Sequence, residues 1–261
     1  MKSRVVRLIP KPLYPPLRAL LKRYYLVRGP SRGRDKSLEA EAVFWEGWFD
    51  LPEADLARRL DPAIDDPTVL ECLSRLPGAE ATVLDVGAGP LSTLGTVAPG
   101  KEVKLTAIDP LADRYDQTLT KVGVTPPTRT LRCSGEELLE RFAPGSFDIS
   151  FSENALDHAL DPLRIIRNMV SVVRPGGFVI LNHAPNEGEH AGYGNVHQWN
   201  FRDDNGRCIL WRPGAEHDLS ESLDGVTVQC GTEQRGGRPR VVCVLQREDQ
   251  QGTPSAADSG R

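Results

Sequence analysis

No apolar run in the 261 residues exceeds strand length. A membrane-spanning helix needs roughly 20 such residues, so the sequence reads as a chain without one. The first residues, MKSRVVRLIPKPLYPP, are basic but lack the apolar stretch of a signal peptide. Cysteine is scarce: Cys72, Cys133, Cys208, Cys230 and Cys243 are five in all, odd in number and scattered, with no CxxC pair and no metal-like spacing. That excludes a disulfide framework and a compact zinc motif, and reduced thiols in a cytoplasm are the expectation. No internal repeat is present, which excludes a solenoid.

What is present is ordinary in bulk and uneven in placement. The composition, 39% hydrophobic and 26% charged, is that of a globular protein of one domain with additions. The net charge of −4 conceals a split. Residues 1–36 hold eleven Lys and Arg against one acid, a net of +10, and the other 225 residues carry −14. A basic arm ahead of an acidic body is either a solvated arm lying on its own domain or a peripheral contact with the inner membrane face. Nucleic acid is not expected as a partner, because the acidic body repels a phosphate backbone.

Within the arm, LRALLKRYYL has a helical pattern. Residues 37–78 read as a helical cap: SLEAEAVFWEGWFDLPEADLARRL is a helix broken at Pro52 and resumed, and DPTVLECLSRL is another ended by Pro77-Gly78. Phe44, Trp45, Trp48 and Phe49 form an aromatic face suited to core packing or to a substrate lid. From residue 79 to 248, strand-like runs at 82–86, 103–108, 128–132, 147–152 and 177–182 alternate with helical ones such as 135–142 and 161–173. This alternation predicts an α/β, Rossmann-like three-layer sandwich with a mostly parallel, seven-stranded sheet. VTVQC and RVVCVLQR, joined by GTEQRGGRP, read as a closing hairpin that makes the terminal strand antiparallel. Residues 249–261 are small and polar and read as a disordered tail.

VLDVGAGPLS, residues 83–92, drives a buried strand into a glycine turn. Glycines there allow a tight turn and close backbone approach to a ligand, with a following helix N-terminus to offer N–H groups. The next strand ends in Asp109, 22 residues after Gly87, where an acid can accept from both ribose hydroxyls. An adenosine-containing cofactor is therefore expected. A dinucleotide site wants a third glycine where this chain has Ser92, and Asp85 suits a cationic ligand better than a pyrophosphate.

VLDVGAGP, AIDP, CSGEELLERFAPGSFDISFSENALDHALDP and VVRPGGFVILNHAP, in that order over about residues 80–185, together resemble the class I S-adenosylmethionine-dependent methyltransferases. The subgroup they look most like is the one that acts on small molecules, glycans and natural products. The resemblance implies S-adenosyl-L-methionine as cofactor and residues 79–248 as the domain that binds it. Asp85, Gly87, Ala88 and Gly89 would lie along its methionine part, Asp109 would hold the ribose and Pro110 would sit beside the adenine. Ser134 stands where the family often has an adenine-contacting Asp, leaving Ser134, Gly135 and Glu136 for that contact. Ser152, Glu153 and Asn154 would meet the amino group from the end of the fourth strand. RPGG at 174–177 matches a structural turn. Leu91 departs from the family, which often has a third glycine there.

Methyl transfer is an in-line displacement served by positioning, and a hydroxyl acceptor also benefits from a general base. Asp157 and His158 follow the fourth strand, and His183 follows the fifth; these three are the catalytic candidates. Residues 183–224 read as a substrate loop, in which His190, Tyr193, His197 and Trp199 offer hydrogen bonds and stacking surfaces to a sugar or ring. The histidine spacings of seven match no compact metal motif, so no metal is expected. The reading is methyl transfer to a hydroxyl, with an amine second, of a glycan, glycolipid or secondary metabolite. Two rivals are a nicotinamide-dependent oxidoreductase and a cofactor-binding protein that keeps the fold without catalysis.

Overall fold

The computed structural model describes residues 34–49, 53–193 and 196–249. The helix read in LRALLKRYYL, most of the basic arm and all but the first residue of the tail lie outside them.

Four parallel strands make the centre: β1 (Glu80–Val86), β3 (Lys101–Asp109), β5 (Phe147–Glu153) and β6 (Val173–His183). β4 (Thr130–Arg132) extends β3 in parallel at its C-terminal end, and β2 (Val97–Ala98) pairs antiparallel at its start. On the other side β11 (Arg238–Arg247) runs antiparallel to β6, and β10 (Val226–Arg235) closes the edge. The spatial order β10-β11-β6-β5-β1-β3 is the mostly parallel sheet that the sequence predicts, with β2 as a small addition. Gly236 and Gly237, both at positive φ, turn the β10–β11 hairpin in two residues.

Alternate residues of these strands feed two cores. Val83, Ile149, Phe178 and Ile180 pack with Val69 and Leu73 of α3 (Pro67–Arg75). Leu84 and Leu181 face the other way, onto Ile166 and Met169 of α6 (Pro162–Val172). Both helices begin alike, on an Asp cap with proline at the first turn. Asp66 accepts from the Thr68 and Val69 amides at 2.9 and 3.0 Å, and Asp161 from Arg164 at 2.9 Å. The remaining helices are α1 (Arg34–Trp48) and α2 (Glu53–Leu60), which match the broken helix read there, α4 (Ala112–Val122), α5 (Leu138–Arg141), α7 (Glu187–His190) and α8 (Leu219–Ser222).

Three expectations are corrected. No helix follows the glycine turn: residues 87–96 are irregular between β1 and β2, so no helix dipole stands there. The 183–224 segment is not one loop, because β7 (Asn200–Asp204), β8 (Arg207–Arg212) and β9 (Ala215–Asp218) form a second, antiparallel sheet within it. Its signal was Asn205-Gly206, at φ of 54° and 89°, the two-residue hairpin turn that demands positive φ. RPGG is a bulge inside β6 rather than a turn before it. Pairing jumps from Phe147–Val173 to Ile149–Phe178, and a Cβ on Gly177 would lie 2.5 Å from the Asp148 carbonyl oxygen.

Candidate active site

The carboxyl ends of β1, β3, β4 and β5 open into a cavity of about 670 Å³, capped by α1. Gly87 and Gly89 turn there at φ of 77° and 66°. The Gly87 and Ala88 amides donate to Ile108 O at 2.9 and 3.0 Å, and Thr130 Oγ1 donates to Gly89 O at 2.8 Å, so the turn is pinned without a helix. A Cβ on Gly89 would come within 3.1 Å of the Trp45 ring, and one on Gly87 within 2.3 Å of Ala155 Cβ. Both positions call for glycine by their positive φ, and at Gly87 there is no room for a Cβ besides.

Two buried carboxyls face this turn. Asp85 accepts from Ser92 Oγ at 2.6 Å, and burial pushes its pKa up to about 7. Asp109 accepts from the Gly89 amide at 3.2 Å and the Leu111 amide at 2.8 Å, and burial raises it to about 6. Arg59 of α2 reaches the same wall, donating to Leu91 O at 2.7 Å with its guanidinium 5.5 Å from the Trp45 ring. Glu153 ion-pairs with Arg240, and Asn154 Oδ1 accepts from Arg240 and from the Ala184 amide. Ser134 Oγ donates to Glu136 Oε2 at 2.8 Å.

Across the cavity lies a proton network. His197 Nδ1–H donates to Asp157 Oδ2 at 2.6 Å, His158 Nε2 lies 3.5 Å from the same oxygen, and the two imidazoles are 3.2 Å apart. On its other nitrogen His158 meets Glu41 Oε2 at 3.3 Å, and Glu41 Oε1 accepts from Trp45 Nε1 at 3.0 Å. Burial opposes the ionisation of Asp157, but the His158 and His197 charges outweigh it and hold the carboxyl below its usual range. His197 loses solvation, yet the hydrogen bond and charge of Asp157 hold it above its usual value. The Gln198 and Trp199 amides donate to the Asp157 carbonyl at 2.8 and 3.2 Å, which ties the His197 segment to the end of β5. Asp157, His158 and His197 offer ligand atoms within 4.8 Å of one another, a span a metal would accept.

Of the residues read from sequence, the cavity brings together Asp85, Gly87, Ala88, Gly89, Asp109, Pro110, Ser134, Gly135, Glu136, Glu153, Asn154, Asp157, His158 and His197. It does not bring in the others. Ser152 is fully buried and its hydroxyl donates to Val86 O at 2.8 Å, tying β5 to β1. His183 is stacked on Phe201 at 4.1 Å, and burial drives its pKa down to about 3. Neither of its ring nitrogens has a hydrogen-bond partner among the described residues. Tyr193 and Trp199 are core residues at 1% and 8% exposure, so neither presents a face for stacking. His190 ends α7 on the exposed surface. Glu41, Arg59 and Tyr115, all on the cavity wall, were missed. The aromatic face of α1 was the one usable signal: Trp45 lines the cavity, while Phe44, also on its wall, stays 57% exposed.

Comparison with known proteins adds an independent line. Residues 84–181 match the methyltransferase domain family. An uncharacterized methyltransferase of a Mycobacterium species (strain KMS) is 32% identical over 142 residues, covering 52% of this chain and 53% of that protein. A ubiquinone biosynthesis O-methyltransferase of Albidiferax ferrireducens is 32% identical over 130 residues, 46% of this chain and 49% of that one. The chain thus spans about half the length of the curated relatives it matches. Among solved structures, the Burkholderia thailandensis 1,6-didemethyltoxoflavin-N1-methyltransferase aligns with a TM-score of 0.44 at 16% identity, over 82% of this chain and 89% of that one. No helix among the described residues is long and apolar enough to cross a membrane. The order of the sequence motifs, the mostly parallel sheet and the family match agree on one region: residues 84–181 are similar to a methyltransferase domain and lie on a Rossmann-like sheet.

Proposed function

We propose that the chain binds S-adenosyl-L-methionine in the cavity and methylates a hydroxyl of a small acceptor, a glycan, glycolipid or secondary metabolite. The observation that carries this reading is the set of carboxyl acceptors on the cavity wall. Asp85, Asp109, Glu136, Glu153 and Asp157 all line it. Such a wall favours a nucleoside rich in hydroxyl and ammonium donors over a dinucleotide pyrophosphate, which brings only acceptors to it. The glycine turn, with no room for a Cβ at Gly87, fits the same ligand.

In this reading Asp109 holds the ribose hydroxyls, and Pro110, Ser134, Gly135 and Glu136 line the adenine side. Asp85 and the Gly87–Gly89 turn hold the methionine part. Arg59 supplies the positive charge that a helix N-terminus would otherwise offer to the ligand carboxylate. When bound, the cofactor supplies an activated methyl group. The imidazole pair His158–His197 takes the acceptor proton, and Asp157 and Glu41, on opposite sides of it, balance the charge that results. Trp45 shields the wall from water. The name of the Albidiferax relative, an O-methyltransferase, agrees with a hydroxyl acceptor.

The test is methyl transfer from labelled S-adenosylmethionine to a panel of phenols, sugars and glycolipids, with matched amines beside them. Label on hydroxyl acceptors, abolished in Asp109→Ala, supports the proposal. Label only on amines overturns the acceptor, and no transfer to any of them overturns the activity.

A further inference from the structure

Three cysteines far apart in sequence meet in the fold. Cys230 on β10 and Cys243 on β11 are direct partners across the hairpin, and Cys208 on β8 is brought onto them by the second sheet. Their sulfurs all lie within 4.8 Å of one another, and all three are free thiols. Cys208 and Cys243 are fully buried, and Cys230 is half-buried.

We propose that these three sulfurs form a binding site for a soft monovalent cation, copper(I), separate from the methyltransferase cavity. Thiolate donors select soft cations. Among the described residues no histidine or carboxylate joins the cluster, so the site is three-coordinate, whereas structural zinc takes four ligands. Metal–sulfur bonds of roughly 2.3 Å put the sulfurs of a trigonal site about 4 Å apart, inside the observed span. The full burial of two sulfurs leaves little room for water as a fourth ligand. Binding forms three Cu–S bonds in place of three S–H bonds. The protons leave to solvent on the Cys230 side, and copper stays in the +1 state.

The ion would staple the small sheet to the large one. β8 pairs with β7, which begins at Asn200, next to the residues whose amides hold the Asp157 carbonyl. Occupancy therefore braces the segment that carries His197.

The experiment uses the full chain, fully reduced by thiol count and kept anaerobic, titrated with copper(I) against a chromophoric copper(I) chelator. One equivalent is expected to stay with the wild type and with Cys72→Ala, raising the melting temperature. Retention is expected to weaken at least a hundredfold in Cys230→Ser. Cys230 is the half-buried member of the trio, and circular dichroism checks that the variant is folded. No retention by the wild type, retention unchanged in folded Cys230→Ser, or preferential retention of zinc(II) overturns the site.

Discussion

Replacing Asp157 by Asn removes the charge at the centre of the proton network while keeping nearly the same shape. The carboxylate is buried and receives the His197 Nδ1–H at 2.6 Å with His158 Nε2 at 3.5 Å. Hydrogen bonds to charged groups contribute about 1.5–3 kcal/mol, and the unfolding free energy should fall by about that much near pH 5–6. The window follows from the two shifts. Asp157 is depressed, so its contribution is present above its unfolded pKa and lost as pH falls through the folded one. His197 is raised, so its contribution is present below its unfolded pKa and lost as pH rises through the folded one. The difference between wild type and Asp157→Asn is therefore largest between these values and shrinks at both ends. Activity should follow the same logic. The imidazole pair accepts a proton only when neutral, so wild-type kcat/KM should rise with pH through a value above 6.5, the ordinary histidine pKa. In the variant that limb should move to lower pH, and turnover should fall by about 10²-fold, the low end of what positioned proton transfer supplies. Melting curves from pH 4 to 9 and initial rates over the same range read both effects. An unmoved limb with intact turnover would show that the network takes no part in proton transfer.

Other outcomes are expected at separate places. Arg59→Ala should weaken S-adenosylmethionine binding about tenfold by calorimetry while leaving adenosine binding unchanged, since in the proposed pose only the methionine carboxylate meets the guanidinium. His183→Leu should leave turnover near wild type and reduce acid sensitivity. Burial lowers the folded pKa to about 3, so stability is present above the unfolded value and drains away as pH falls from about 6.5 toward 3. That variant's melting temperature should hold where the wild type's falls. Gly206→Ala, at φ of 89°, should cost about 1–2 kcal/mol in denaturant unfolding, provided the small sheet unfolds with the rest.

The large sheet was legible because its strands carry apolar residues toward both faces and end in glycines and acids. Asp85 and Asp109 were found for that reason: each is a charge at the end of a buried run. The small sheet was misread because its first strand, Asn200–Asp204, is polar at its end and follows a histidine-rich stretch that looked like a loop. Asn205-Gly206 carried the hairpin signal and was passed over. Tyr193 and Trp199 were taken for exposed stacking surfaces because composition says nothing about which way an aromatic points. His197 came into the site and His183 did not, although both were read from the same segment. That choice is made by the backbone bonds from residues 198 and 199 to Asp157, a contact across 40 residues that local pattern cannot show. Glu41, Arg59 and the cysteine trio were invisible for the same reason.

Calorimetric titration of the purified chain with S-adenosylmethionine, S-adenosylhomocysteine and NADH, repeated with Asp109→Ala, tests the acid-lined cavity most directly. Binding of the first two without NADH, weakened at least tenfold in the variant, is the expected result. Binding of NADH alone, or nucleoside affinity unchanged by the loss of Asp109, would contradict it.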